Sequence, residues 1–165
     1  MEEKKLLVKD IIIEAIIALA IAAMFAMFIG QPVVVHGQSM ENTYHDGQYL
    51  FMEKISYRLH NIHRFDIMVF KMDNEVKVIK RVIGLPGETV QIIDDGSILI
   101  NGQKIKENFG KEQIADAGDA ANEIQLGEDE YFVLGDNRNK SMDSRNSRVG
   151  IIQYEDIMGT ILFGR

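Results

Sequence analysis

Apolar residues follow two unlike patterns along this chain. The 19 positions from Ile11 to Ile29 hold a single polar residue, Glu14, and the last 15 of them run without interruption. That length approaches the roughly 20 residues a helix needs to cross hydrocarbon, and Glu14 lies near one end, where it can snorkel toward headgroups. Three readings are open. The segment is a transmembrane anchor, the expectation taken forward; a cleavable signal peptide, although Ala18, Ala20 and Ala22 sit inside the run and not after it; or a core helix, which would need a larger protein around it because it is apolar on every side. Lys4, Lys5 and Lys9 precede the run and the next cation is Lys54, which orients an anchor with its N-terminus in the cytoplasm and the bulk of the chain outside.

Beyond residue 35 the pattern shortens to β-rich runs between turn signals. Strands are expected at Tyr49–Ile55, Asp66–Phe70, Val76–Ile83, Thr89–Ile93, Ile98–Ile100 and Glu130–Leu134, with turns at Pro86-Gly87, Asp95-Gly96 and Asn101-Gly102. Ser97–Lys104 reads as a hairpin about Asn101-Gly102. Residues 107–130 carry eight acids against one lysine, Lys111, and read mostly as a solvated loop with a short helix. The expected architecture is a mostly β domain at 36–165 behind an N-terminal anchor segment at 1–35.

Composition narrows the chemistry. The 165 residues hold 18 Lys and Arg against 25 Asp and Glu, a net charge of −7, with no run of basic residues, so nucleic acid is not the expected partner. With no cysteine, disulfides, thiolate metal sites and a thiol nucleophile are excluded, and a nucleophile must come from Ser, Thr, Lys, Asp or His. His36, His45, His60 and His63 form no recognised metal motif, and no nucleotide-binding glycine loop occurs. No cofactor is expected.

Two segments carry candidate chemistry. In His36-Gly37-Gln38-Ser39-Met40-Glu41-Asn42-Thr43, a serine among turn-forming residues can be exposed on a bent backbone with neighbouring N–H groups free to face an oxyanion; a serine that merely closes a turn would look the same. In Val76–Ile83, period-two alternation places Lys80 on one face with Val76, Val78 and Val82, and Lys77 and Arg81 on the other. An ammonium among valines loses charge readily, the condition for a lysine base near neutral pH, unless it snorkels from the strand or a bulge breaks the register.

Together with Gly135-Asp136-Asn137-Arg138 and the following Ser141, Asp143, Ser144 and Arg145, these segments resemble the bacterial type I signal peptidases, membrane-anchored Ser/Lys endopeptidases. Arg64–Phe70 and Lys80-Arg81-Val82-Ile83-Gly84-Leu85-Pro86-Gly87-Glu88 complete four blocks in the family's order. The resemblance implies coiled antiparallel sheets outside the cytoplasm, Ser39 as nucleophile and Lys80 as general base. It also implies that Ser141 orients the lysine while Arg81, Asp136, Asp143 and Arg145 build a supporting ionic shell. Two departures stand out. Gly37 occupies the position where some relatives supply a serine hydroxyl, and Asn42 replaces the proline usual before the residue matching Thr43.

The implied substrate is an exported preprotein whose signal peptide is bound as an extended strand and removed at the outer face of the cell membrane, with the lipid bilayer as the other partner. Met40 and the run Tyr49–Met52 are candidates for pocket walls or for contact with lipid. Two rivals stand beside this reading. A self-cleaving cytosolic Ser-Lys protease is opposed by the apolar segment and the Asp136–Arg145 run, and a non-catalytic assembly partner is opposed by the presence of both Ser39 and Lys80.

Overall fold

The computed structural model describes residues 2–72 and 76–162; the side chains of residues 2–8 and 26–28 lie outside that description. A helix, α1 (Glu2–Phe28), leads into the strands β1 (Gly30–Val34) and β2 (Tyr49–Glu53), the single turn α2 (Ser56–Leu59), and the strands β3 (Ile67–Lys71) and β4 (Lys77–Gly84). Then come β5 (Thr89–Ile92), β6 (Ile98–Ile100), β7 (Gln103–Lys104), β8 (Ile124–Gln125), β9 (Glu130–Leu134), β10 (Ile152–Gln153) and β11 (Ile157–Ile161).

From Lys9 to Phe25 every side chain of α1 is exposed, Leu19 to 72%. Among the described residues no helix is long and apolar enough to cross a membrane, and the described side chains of α1 end short of the roughly 20 apolar residues a span requires. Lys4 and Lys5, which carry part of the orientation argument, are among the side chains outside the description. The expected anchor segment, 1–35, is not helical throughout: Gly30–Val34 pairs with β2, so the valines at its end belong to a sheet.

All pairings are antiparallel. Seven strands follow the order β1-β2-β11-β3-β4-β9-β10, and a smaller sheet follows β7-β6-β5-β8. Ile67–Phe70 of β3 are buried without alternation because β3 is central and covered on both faces, Met68 and Phe70 against Val82 and Val133, Ile67 and Val69 against Met40 and Met52. The small sheet rises between β4 and β9 and packs Val90, Ile92, Ile98 and Ile100 on Ile83, Phe132 and Leu134. Gly84 permits that approach, since a Cβ there would lie 2.5 Å from Val90 Cγ2 and 2.7 Å from Leu126 Cδ1.

Local chemistry sets the strand ends. β2 stops at Glu53, short of the expected Ile55, because the Glu53 carboxylate accepts the N–H groups of Ile55 (2.9 Å) and Ser56 (2.7 Å) and turns the chain into α2. The β6–β7 hairpin has positive φ at Asn101 (51°) and Gly102 (73°), the conformation its Asn-Gly pair favours. Arg64 grips Glu88 through both guanidinium nitrogens (2.9 and 2.5 Å), tying the segment before β3 to the turn after β4.

Candidate active site

Ser39 lies on a turn between β1 and β2. Met40, 1% exposed, anchors the turn in the core beside Ile67 and Val69, and its carbonyl accepts the N–H groups of Thr43 (3.0 Å) and Tyr44 (2.8 Å). Gly37 takes φ 82°, and its N–H donates to Asp46 Oδ1 at 2.8 Å. A second tie comes from far along the chain: the Asn137 N–H donates to the Ser39 carbonyl (3.0 Å) and Asn137 Nδ2 to the Gln38 carbonyl (3.0 Å). The Ser39 N–H itself has no acceptor among the described residues.

Lys80 is 3% exposed, and its Nζ lies 2.6 Å from Ser39 Oγ. The register of β3 on β4 is continuous from Ile67↔Arg81 to Lys71↔Lys77, and the irregularity in β4 comes later, between Val82 and Gly84 in its pairing with β9. Lys80 therefore keeps the face that alternation predicts, between Val78 and Val82. Burial brings its ammonium down from 10.5 to about 8, partly opposed by the carboxylates of Asp143 and Asp136 and assisted by the Arg145 cation.

Behind the pair stands an ionic shell. Arg81, fully buried, donates Nε (2.8 Å) and Nη2 (2.7 Å) to the two oxygens of Asp136, and Nη1 to the Phe65 carbonyl (2.8 Å). Thr43 Oγ1 donates to Asp136 Oδ2 and accepts Arg81 Nη2 at 3.3 Å. Asp143 accepts the Gly135 N–H (3.0 Å) and a two-point grip from Arg145, whose Nη1 reaches the Asp116 carbonyl. Ser144 Oγ accepts the Val133 N–H at 3.0 Å.

Ser141 is placed differently from expectation. Its hydroxyl is buried against Gly135, where a Cβ would collide with it, and has no hydrogen-bond partner among the described residues. The bond to Lys80 implied by resemblance is not formed here; among the described residues the hydrogen-bond partner of Lys80 Nζ is Ser39.

Ser39 opens on a cleft of about 330 Å³ whose walls include Val34, Met40, Val78, Ile79, Lys140 and Met142. Of the expected wall residues only Met40 contributes; Met52 is core, and Tyr49 and Phe51 are exposed on β2 away from the cleft lining. His60 and His63 line a separate hollow with Glu53 and Asp66. Among the described residues no group of His, Asp and Glu is placed to hold a metal ion.

A partly exposed serine bonded to a buried lysine of lowered pKa, on a loop with an unused N–H, is an arrangement for acyl transfer. The sequence profile of the family described as Signal peptidase, peptidase S26, matches residues 8–164. The chain belongs to the signal peptidase family. Signal peptidase I of Bacillus licheniformis is 41% identical over 165 residues, covering 94% of this chain and 85% of the relative. Signal peptidase I T of Bacillus subtilis strain 168 is 37% identical, covering 90% and 80%. The crystal structure of a signal peptidase I from Enterococcus faecalis V583 superposes with a TM-score of 0.52 at 32% identity, covering 62% of this chain and 97% of that one. These likenesses support a signal peptidase I enzyme with a mostly β, antiparallel fold.

Against the family pattern, Asn42 becomes intelligible. It has φ 107°, far from the −65° to which a proline ring is fixed, and its Nδ2 donates to the Phe109 carbonyl at 3.2 Å. Asn137 and Phe109 were not singled out in the sequence. Asn137 stood inside a recognised block but acts through its backbone and amide, and Phe109 lay in the acidic stretch read as solvated.

Proposed function

We propose that this chain is a membrane-anchored serine endopeptidase that removes signal peptides from exported preproteins, with Ser39 as nucleophile and Lys80 as general base. The 2.6 Å separation of Lys80 Nζ and Ser39 Oγ carries the reading. At pH 7 a group titrating at about 8 is neutral in about a tenth of molecules, enough to sustain base catalysis.

In the neutral form Lys80 accepts the Ser39 proton while Oγ bonds to the scissile carbonyl carbon, and the C=O π pair moves onto oxygen beside the Ser39 N–H. Collapse breaks the C–N bond, and the Lys80 ammonium protonates the leaving amine of the mature protein. Water then attacks the acyl ester, giving its proton to Lys80; the ester C–O bond breaks, the signal peptide leaves as a carboxylate, and Ser39 regains its proton. Arg81, Asp136, Asp143 and Arg145 hold the loops that carry the pair, and Ser141 is assigned to orient Lys80 once its Nζ leaves Ser39.

The apolar exposed face of α1 supports a membrane anchor, since side chains such as Leu19 and Ile16 gain by leaving water. We assign the helical part of residues 1–35, α1, to the anchor, with its N-terminus cytoplasmic, and β1 with residues 36–165 to the extracytoplasmic peptidase domain. The test is cleavage of a preprotein with Ala one and three residues before the cut by detergent-solubilised protein, beside Ser39→Ala and Lys80→Ala. Wild type cleaves at that bond and both folded variants lose at least about 10³-fold in kcat; a folded variant that retains activity contradicts the assignment.

A further inference from the structure

Most of the acidic stretch after β7 is exposed, as expected, but its first residues, Glu107 to Lys111, are tied to the site. The Glu107 carboxylate accepts the N–H groups of Phe109 (2.8 Å) and Gly110 (3.2 Å) with one oxygen and Arg138 Nη1 (2.6 Å) with the other. The Lys111 N–H donates to the Asp136 carbonyl at 2.8 Å, and the Lys111 ammonium lies 3.5 Å from Glu41. This short loop thus bonds to the loop bearing Ser39 through Asn42 and Glu41, and to the loop bearing Asn137 through Asp136 and Arg138.

Phe109 lies at its centre. The ring centroid is 3.7 Å from Arg81 Cζ, and the ring packs on Phe65 at 5.2 Å. Nitrogens on the edge of the Arg81 guanidinium reach Asp136, Thr43 and the Phe65 carbonyl, while the aromatic ring of Phe109 covers a planar face of the cation. What Arg81 holds is transmitted directly: Asp136 is gripped by Arg81, and its neighbour Asn137 bonds the Ser39 carbonyl, while Arg81 adjoins Lys80 on β4.

We propose that Phe109 is a positioning residue for the Ser39–Lys80 pair, acting through Arg81 and Asp136 to fix the nucleophile against its base. The inference rests on the peptidase reading above and assigns a role within it to a loop outside the family's recognisable blocks. Displacement of a nucleophile by an ångström can cost about 100-fold in rate, so a loop that touches neither reacting atom can still govern turnover.

The experiment is steady-state cleavage of the Ala-containing peptide by the full chain in detergent, comparing Phe109→Leu, Phe109→Ala and Phe109→Tyr, with Asn42→Gly as a second way of loosening the loop. Expected are a kcat about tenfold lower for F109L, lower still for F109A, KM within about twofold of wild type, and near-complete retention by F109Y, which keeps the aromatic face. Asn42→Gly lowers kcat several-fold, and its effect does not add to that of F109L because both act on one contact network. Thermal unfolding of each variant gives the folded fraction at the assay temperature, and rates are taken per folded molecule. Wild-type kcat in F109L, or losses that vanish on that correction, overturns the proposal. Equal activity in wild type and Ser39→Ala would instead overturn the peptidase reading itself.

Discussion

Asn137 donates its main-chain N–H to the carbonyl of Ser39 at 3.0 Å, so the serine is held by a loop almost a hundred residues further along the chain. The adjoining Gly135 has no room for a side chain, because a Cβ there would press on both the Ser39 carbonyl and the Ser141 hydroxyl. Gly135→Ala should therefore displace Ser39. Overpacking of this kind costs roughly 1–3 kcal/mol, and we expect the folded variant to lose at least tenfold in kcat; chemical denaturation with a cleavage assay checks both.

Removing one partner from the buried Arg81–Asp136 pair leaves an uncompensated charge. Asp136→Ala should cost about 3–5 kcal/mol, measured by urea unfolding at neutral pH. A cost below about 1 kcal/mol would mean that the Arg81 cation finds water or another acceptor.

Lys80 couples stability to pH with a definite sign. Its folded value, about 8, lies below the 10.5 of the unfolded chain, so between those values the unfolded state binds more protons and stability rises with pH. Below pH 8 the full penalty for holding a buried ammonium remains, of the order of 3 kcal/mol. Lys80→Met, apolar and similar in length, should stabilise the fold near neutrality while abolishing cleavage, and its advantage should shrink as pH climbs from 8 to 10.5. Denaturation of both proteins across that range tests the difference; a constant gap would place the titration elsewhere.

Asn42 offers a conformational test. Asn42→Gly keeps the φ of 107° accessible, whereas Asn42→Pro, which restores the usual family residue, cannot adopt it. The proline variant should melt lower than the glycine variant and cleave more slowly. Equal melting temperatures would show that the turn can rebuild around proline.

What the sequence revealed depended on how locally each feature is encoded. The face of Lys80 followed from two-residue alternation within one continuous strand, and the β6–β7 hairpin from the backbone preference of Asn101-Gly102. β1 was hidden because it follows the apolar run at once and opens on Gly30-Gln31-Pro32, which carries no strand pattern; only its pairing with β2 reveals it. β10 is only two residues long, and β11 joins distant neighbours, β2 and β3. Phe109 was invisible for a further reason: its acidic neighbours suggest solvent, whereas Glu107 is spent on Arg138 and on its own loop. The ionic partners of Arg81 came from family resemblance, since no spacing rule links residues 81 and 136.

The proposed chemistry turns on Ser39 being acylated with Lys80 as base. Its most direct test is intact-mass and peptide-level detection of the acyl-enzyme formed by a slowly hydrolysed ester of the signal-peptide carboxyl side, followed by rapid quench across pH. Expected is an adduct on the Ser39 peptide that forms faster as pH rises, with a midpoint near 8, and formation too slow to detect in folded Lys80→Ala. An adduct on another residue, or an unchanged rate without Lys80, would contradict it.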